Sequence, residues 1–167
     1  IGFESLLRWK NDVHGAVSPA KFIPLAEQCG MMPAIGRWVL EQAASFAQEL
    51  RQQGMPNIRV HVNVSVKQME DDDFSSMVEN IMQHQAGMQH QLIMEVTESV
   101  FMESMNRAIA SLNDLKETGF SIAMDDFGEG FSSLAQLLRL PFDSLKISRT
   151  LIKNLGAEQR HLQYIAA

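Results

Sequence analysis

The 167-residue sequence predicts an α/β domain built on a parallel sheet. Three observations predict it. Strand-like and helix-like segments alternate along the whole length, the rhythm of successive β-α-β units. The strand-like segments are short and apolar or β-branched, with period-two alternation, whereas the segments between them repeat their apolar residues at helical spacing. Each strand-like segment also carries a polar or ionisable residue, mostly near its C-terminal end. The rhythm alone leaves two arrangements open, a doubly wound sheet or a (β/α)8 barrel.

The elements follow in order. Residues 1–9, IGFESLLRW, form the first strand-like run. Residues 18–30 open with Ser18 as N-cap and Pro19 at the first helical position, and close on Gly30. The next helix, 32–54, spaces Ile35, Val39, Ala43, Phe46 and Leu50 along one face and also ends on glycine. Strands are expected at 58–65, 91–99, 120–126 and 144–149. Helices are expected at 72–87, 104–119 and 132–140, with another beginning at 157. Five strands and no linker or internal repeat give one domain over 1–167.

Composition narrows the function classes. The apolar share is 46% and the charged share 20%, which suits a packed globular core. A formal net charge of −6 argues against DNA or RNA duplex binding, which needs basic side chains to neutralise phosphates. It leaves room for an anionic ligand held through metal ions. The single cysteine, Cys29, forbids an intramolecular disulfide and reads as a small buried hydrophobe in a cytoplasmic protein. No apolar run approaches the roughly 20 residues of a membrane span. The first residue is not methionine, so the sequence reads as a piece of something longer.

The strands themselves point to chemistry. Side chains alternate between the two faces of a strand. Val60, Val62 and Val64 share one face, opposite His61, Asn63 and Ser65. Leu92, Met94 and Val96 lie opposite Glu95 and Thr97, Ile122 and Met124 opposite Asp125, and Leu145 and Ile147 opposite Lys146 and Ser148. Glu4, Leu6 and Arg8 share parity on the first strand. A parallel strand covered by helices on both faces should be almost wholly apolar. These are not, so one face must meet something polar, and a barrel interior with its reactive C-terminal mouth fits best. Burying Glu4, Glu95 and Asp125 together without cations is costly. Carboxylates with an amide oxygen suit a hard divalent ion, and Asp126 next to Asp125 could serve a second. A lone aspartate at a strand end is more often a cap or loop anchor. Oxygen ligands delivered at one level by four strands favour a metal site instead. No HxH or HExxH spacing occurs among the five histidines, which argues against zinc. His61 lies deeper on its strand and reads as a satisfied core residue.

At these residues the sequence resembles the EAL family of bacterial phosphodiesterases. GFESLLRW is similar to the family's GxEALLRW, VNVS to its Asn-x-Ser strand, EVTES to its Glu-x-Thr-Glu strand, MDDFGEGFSSL to its DDFGTGYSSL loop, and LPFDSLKIS to its LPVDxLKID strand. The resemblance implies an EAL-type (β/α)8 barrel, with only about five of its eight strands present: the first strand and the last two would lie outside this segment. It implies hydrolysis of cyclic di-GMP to linear pGpG with Mg²⁺ or Mn²⁺ in a two-metal site, Ca²⁺ being inhibitory. Glu4, Asn63, Glu95 and Asp125 would be metal ligands and Asp126 would hold the second ion. Lys146 would contact the attacking water or the scissile phosphate, and Glu98 would anchor the Asp-Asp-Phe-Gly loop. Leu6 and Arg8 would hold the dinucleotide. Fusion to sensory or GGDEF-type domains and homodimerisation are family habits that it also implies.

Some positions depart from the family pattern. The signature alanine is Ser5, on the outward parity. The last aspartate of the LKID motif is Ser148, an inward position where loss of a carboxylate would weaken metal binding or activity. Glu129 and Phe131 replace threonine and tyrosine, and Glu129 adds negative charge near an anionic substrate. These departures favour an alternative in which the domain binds cyclic di-GMP or a protein partner without cleaving anything.

Overall fold

A computed structural model describes residues 1–69, 71, 73–84, 88, 90–97, 100–128 and 140–155. The expected helix at 132–140, apart from Leu140, and the one from 157 onward lie outside the described residues, together with Glu98, Glu129, Gly130 and Phe131.

Five strands form one sheet: β1 (Gly2–Ser5), β4 (Arg59–Asn63), β5 (Leu92–Thr97), β6 (Ser121–Phe127) and β7 (Ser144–Ile147). Every pairing is parallel, and the spatial order is β1-β4-β5-β6-β7, which is the order along the chain. A doubly wound sheet reverses direction at a switch point, whereas a barrel keeps adding strands on the same side. The uninterrupted order therefore selects the barrel arrangement over the doubly wound one.

A small antiparallel hairpin, β2 (Trp9–Asn11) with β3 (Gly15–Val17), follows β1. It corrects the first expected element. The strand at 1–9 stops at Ser5, and Trp9 belongs to the hairpin. Asn11 holds the turn, its Oδ1 accepting the N–H groups of Val13 and His14 at 2.8 and 3.1 Å.

Helix α1 (Pro19–Gln28) starts where expected, with Pro19 in the first turn and Ser18 in the N-cap position. The Ser18 hydroxyl makes no cap bond; its carbonyl takes the N–H groups of Lys21 and Phe22 instead. Cys29 is exposed, contrary to expectation. It sits at the C-cap, where the chain leaves the helix through Gly30 at φ +67°. Helix α2 (Met32–Gln52) carries Leu40, Ala43, Ala44, Ala47 and Leu50 into the core. Its Gly36 makes room for the buried Gln68 side chain, which a Cβ there would strike. Gln68 belongs to α3 (Val66–Met69), a single turn after β4, and its Oε1 accepts from both the N–H and the hydroxyl of Ser65. Helices α4 (Phe74–His84) and α5 (Val100–Glu117) complete the covering layer, α5 beginning four residues ahead of the expected 104. The last described element is α6 (Arg149–Leu155).

The core lies between these helices and one face of the sheet. Val60, Val62, Leu92, Met94, Val96, Ile122 and Met124 are each about 1% exposed or less and meet Leu40, Val78, Leu112 and Leu115 from the helices. Each such side chain contributes roughly 1.5–3 kcal/mol by leaving water. These are the apolar parities expected from sequence. On the edge strands the apolar faces stay open, with Phe3, Leu145 and Ile147 about half exposed. No helix among the described residues is long and apolar enough to cross a membrane.

Candidate metal centre

The other face of the sheet is polar, and parallel register decides which residues meet. Asn63 pairs with Glu95, Glu95 with Ala123, and Thr97 with Asp125. Glu4 pairs with His61, one layer nearer the strand starts. Side chains two apart on a strand share a face, so β4, β5, β6 and β7 present Asn63, Glu95, Asp125 and Lys146 to one space near their C-terminal ends. Ala123, the register partner of Glu95, puts only a methyl group beside it.

The acids converge. Glu4, Glu95 and Asp125 each offer a carboxylate oxygen, and the three lie within 4.8 Å of one another. Asn63 donates from Nδ2 to Glu4 at 3.1 Å and so joins the group. Lys146 Nζ donates to a Glu95 oxygen at 2.9 Å and to Asp125 Oδ2 at 3.1 Å, and stands 3.9 Å from Glu4. Burial pushes this ammonium down, but its bonds to the two carboxylates and their charge outweigh burial and hold it above the ordinary lysine range. Among the described residues, one ammonium against three carboxylates leaves a formal surplus of two negative charges in a space a few ångströms wide.

The donor chemistry fits a hard divalent ion. All three convergent acids present oxygen, and the amide of Asn63 is adjacent. Glu95 is 1% exposed, Asp125 half-buried and Glu4 exposed, so the group is closed at its floor and open at its rim.

Asp126 sits differently. Alternation would send it after Met124 onto the helix-covered face. The pairing of β6 with β7 shifts register between Met124 and Phe127, a β-bulge, and Asp126 takes φ +52° and is exposed. Bulges re-aim side chains in this way. The Asp126 N–H is held by Asp125 Oδ1 at 2.9 Å, and Gly128 follows at φ +98°, where a Cβ would lie 2.5 Å from the Leu151 side chain. Asp126 is not in the convergent group of three.

Leu6 and Arg8 lie just past the end of β1. With Ser5, Asn63, Ser65 and Thr97 they line a cleft of about 500 Å³ between the strand ends and the helices α1 and α2. Asn63 belongs to both cleft and acid cluster, so the two adjoin. Ser148 is 2% exposed, and its hydroxyl accepts the Leu151 N–H at 3.0 Å while its carbonyl accepts that of Ile152. It caps α6. The expected strand 144–149 therefore ends at Ile147, and serine keeps a cap that aspartate would also make.

The sequence reading of His61 is a satisfied core residue deep on its strand. Its Nδ1 instead lies 2.6 Å from Glu95 Oε1, and the ring is only partly buried. The inward parity of His61 was legible in the sequence. Its partner was not, because that depends on inter-strand register.

All 167 residues match the family described as the EAL domain. The chain is 37% identical over 168 aligned positions to the bifunctional diguanylate cyclase/cyclic di-GMP phosphodiesterase MucR of Pseudomonas aeruginosa, covering 100% of this chain and 24% of MucR. It is 36% identical to the oxygen sensor protein DosP of Escherichia coli, covering 99% of this chain and 21% of DosP. The chain thus spans a fifth to a quarter of the length of these relatives. Among solved structures, the MucR phosphodiesterase in complex with c-di-GMP superposes with a TM-score of 0.87 at 35% identity, over 97% of this chain and 66% of that one. A match over the full sequence, carried on a parallel sheet in the same arrangement, shows that the chain belongs to the EAL domain family.

Proposed function

We propose that this domain hydrolyses cyclic di-GMP to linear pGpG, with Mg²⁺ or Mn²⁺ at the acid cluster, inside a larger bacterial signalling protein. The observation that carries the proposal is the meeting of Glu4, Glu95 and Asp125 within 4.8 Å, with Asn63 and Lys146 bonded into the group, at the C-terminal ends of the parallel strands. In a barrel of this kind that end is where chemistry is done. The names of the relatives supply the substrate class.

Glu4, Asn63, Glu95, Asp125 and Asp126 would hold one or two divalent ions. When bound, such ions lower the pKa of water and neutralise charge on a phosphodiester undergoing in-line displacement. The chain's own side chains bind and orient the substrate. Arg8 brings a guanidinium to the cleft, suited to a phosphate, and Leu6 gives an apolar surface for a nucleotide. Lys146 would bring its ammonium to where negative charge grows on the phosphoryl oxygens, a contact that strengthens towards the transition state. Glu98 is proposed to anchor the loop after Asp126. The half-exposed Phe3, Leu145 and Ile147 on the two outer strands of the described sheet support reading the segment as part of an eight-stranded barrel whose further strands continue the sheet and whose further helices cover them. Fusion to other signalling domains fits the fraction of each relative that the chain spans.

Ser148 favours a second reading. Serine here supplies no carboxylate where the family motif has aspartate, and the domain would then bind cyclic di-GMP without cleaving it. The test is turnover by the full protein that carries this chain. Cyclic di-GMP is incubated with Mn²⁺ or Mg²⁺ and the products are separated chromatographically. Conversion to pGpG, abolished by Glu95→Gln, supports hydrolysis. Tight binding of intact cyclic di-GMP with no product supports the second reading, and no binding at all rejects both.

A further inference from the structure

The family motifs account for Glu4, Asn63, Glu95, Asp125 and Lys146. They give His61 no part, yet it makes the shortest described contact to the most buried of these acids.

Glu95 is 1% exposed, and its carboxylate has two described partners. Lys146 reaches it from β7 and also serves Asp125 and Glu4. His61 lies on β4, two residues before Asn63, and Asn63 is the register partner of Glu95. His61 therefore approaches the carboxylate from the strand-start side, beneath the layer that Asn63 and Glu95 share. Its own register partners are Glu4 and Ile93. A carboxylate oxygen accepts, so the 2.6 Å contact requires hydrogen on Nδ1 and makes His61 the donor. Lys146 bonds both Glu95 and Asp125 and so would compete with an arriving cation for the same oxygens, whereas the described hydrogen bond of the His61 ring goes to Glu95 alone. Partners of this kind, one layer behind the ligand, fix its orientation, and their loss typically weakens metal affinity 10–100-fold.

We propose that His61 is a positioning residue: it holds the Glu95 carboxylate from below so that its remaining oxygen capacity faces a divalent cation shared with Glu4 and Asp125. This rests on the metal-site reading above. The experiment is Mn²⁺ titration by calorimetry of the full protein and three variants, with a thermal melt of each. His61→Asn places an amide N–H close to the position of Nδ1. His61→Leu removes the donor and keeps bulk, and His61→Ala removes both. The expected result is a dissociation constant raised about 10–100-fold in the Leu and Ala variants and within about threefold of the parent in the Asn variant. If the parent binds Mn²⁺ and the Leu or Ala variant binds it equally tightly, the positioning role is wrong while the metal site stands. Equal weakening in all three variants, Asn included, also overturns it, because the donor would then not be what matters. If the parent itself takes up no Mn²⁺, the metal site falls and this role with it.

Discussion

At the scale of single residues, Lys146 is the side chain on which the account is most exposed. It is the only ammonium among the described residues at the three convergent carboxylates, and its side chain is 37% exposed. Removing it leaves Glu95 buried beside two further acids. Breaking a buried ion pair from one side costs about 3–5 kcal/mol, and the partial exposure here lowers that to about 1–3 kcal/mol. Lys146→Met should therefore lower the melting temperature in metal-free buffer, and millimolar Mn²⁺ should recover much of the loss. A melt unchanged by the substitution would mean the carboxylates do not crowd as described. The parity of Lys146, Glu95 and Asp125 was legible in the sequence because alternation is local. That the lysine serves as counter-ion to the cluster was not, because it depends on the register of β5 against β6 and β7.

At the scale of elements, Asp143 ties the start of β7 to the start of β6. Its Oδ2 accepts the Ile122 N–H at 2.8 Å, its own N–H goes to the Ile122 carbonyl at 2.9 Å, and it pairs with Lys116 of α5. Burial pushes this carboxyl up, but the Lys116 ammonium and the Ile122 N–H prevail and hold it below the ordinary carboxylate range. A depressed acid contributes stability that is present above its unfolded pKa of about 3.9 and is lost as pH falls through the folded value. Asp143→Asn keeps an acceptor for Ile122 and removes only the charge. The parent should exceed this variant by up to about 1 kcal/mol at neutral pH, and the gap should close below about pH 4. A gap that persists at pH 2 in urea titrations would assign the effect to something other than ionisation. Three of the elements that escaped sequence reading share one cause, brevity. The strands Trp9–Asn11 and Gly15–Val17 have three residues each and the turn Val66–Met69 four, too few to establish a period. The long elements, α2 and the central strands, were legible because burial repeats over many residues. Helix α6 was missed for another reason: Ser148 ends one element and caps the next with no glycine or proline to mark the change.

At the scale of the whole molecule, the strand order is what turns five separate motifs into one site. Each motif sits at or near the end of a different strand, and sequential parallel pairing brings those ends to a single rim. The alternation of elements indicated a parallel sheet but could not choose between winding schemes. The one-sided polarity of the strands did, since only a barrel gives a sheet an inner face that is polar at one end. Glu4, Asn63, Glu95 and Asp125 were picked out for the same reason and do converge, while Asp126 is set apart by the bulge, a feature of register with no local sequence signal. The central claim is that this rim exists to hold divalent cations. It is tested most directly by Mn²⁺ binding to the full protein, compared with Glu4→Gln, Glu95→Gln and Asp125→Asn. Each substitution removes one formal charge from the cluster at almost constant shape. Saturable binding in the parent that weakens at least tenfold in every one of the three variants is the predicted result. Binding that is absent in the parent, or unchanged across the variants, would contradict it.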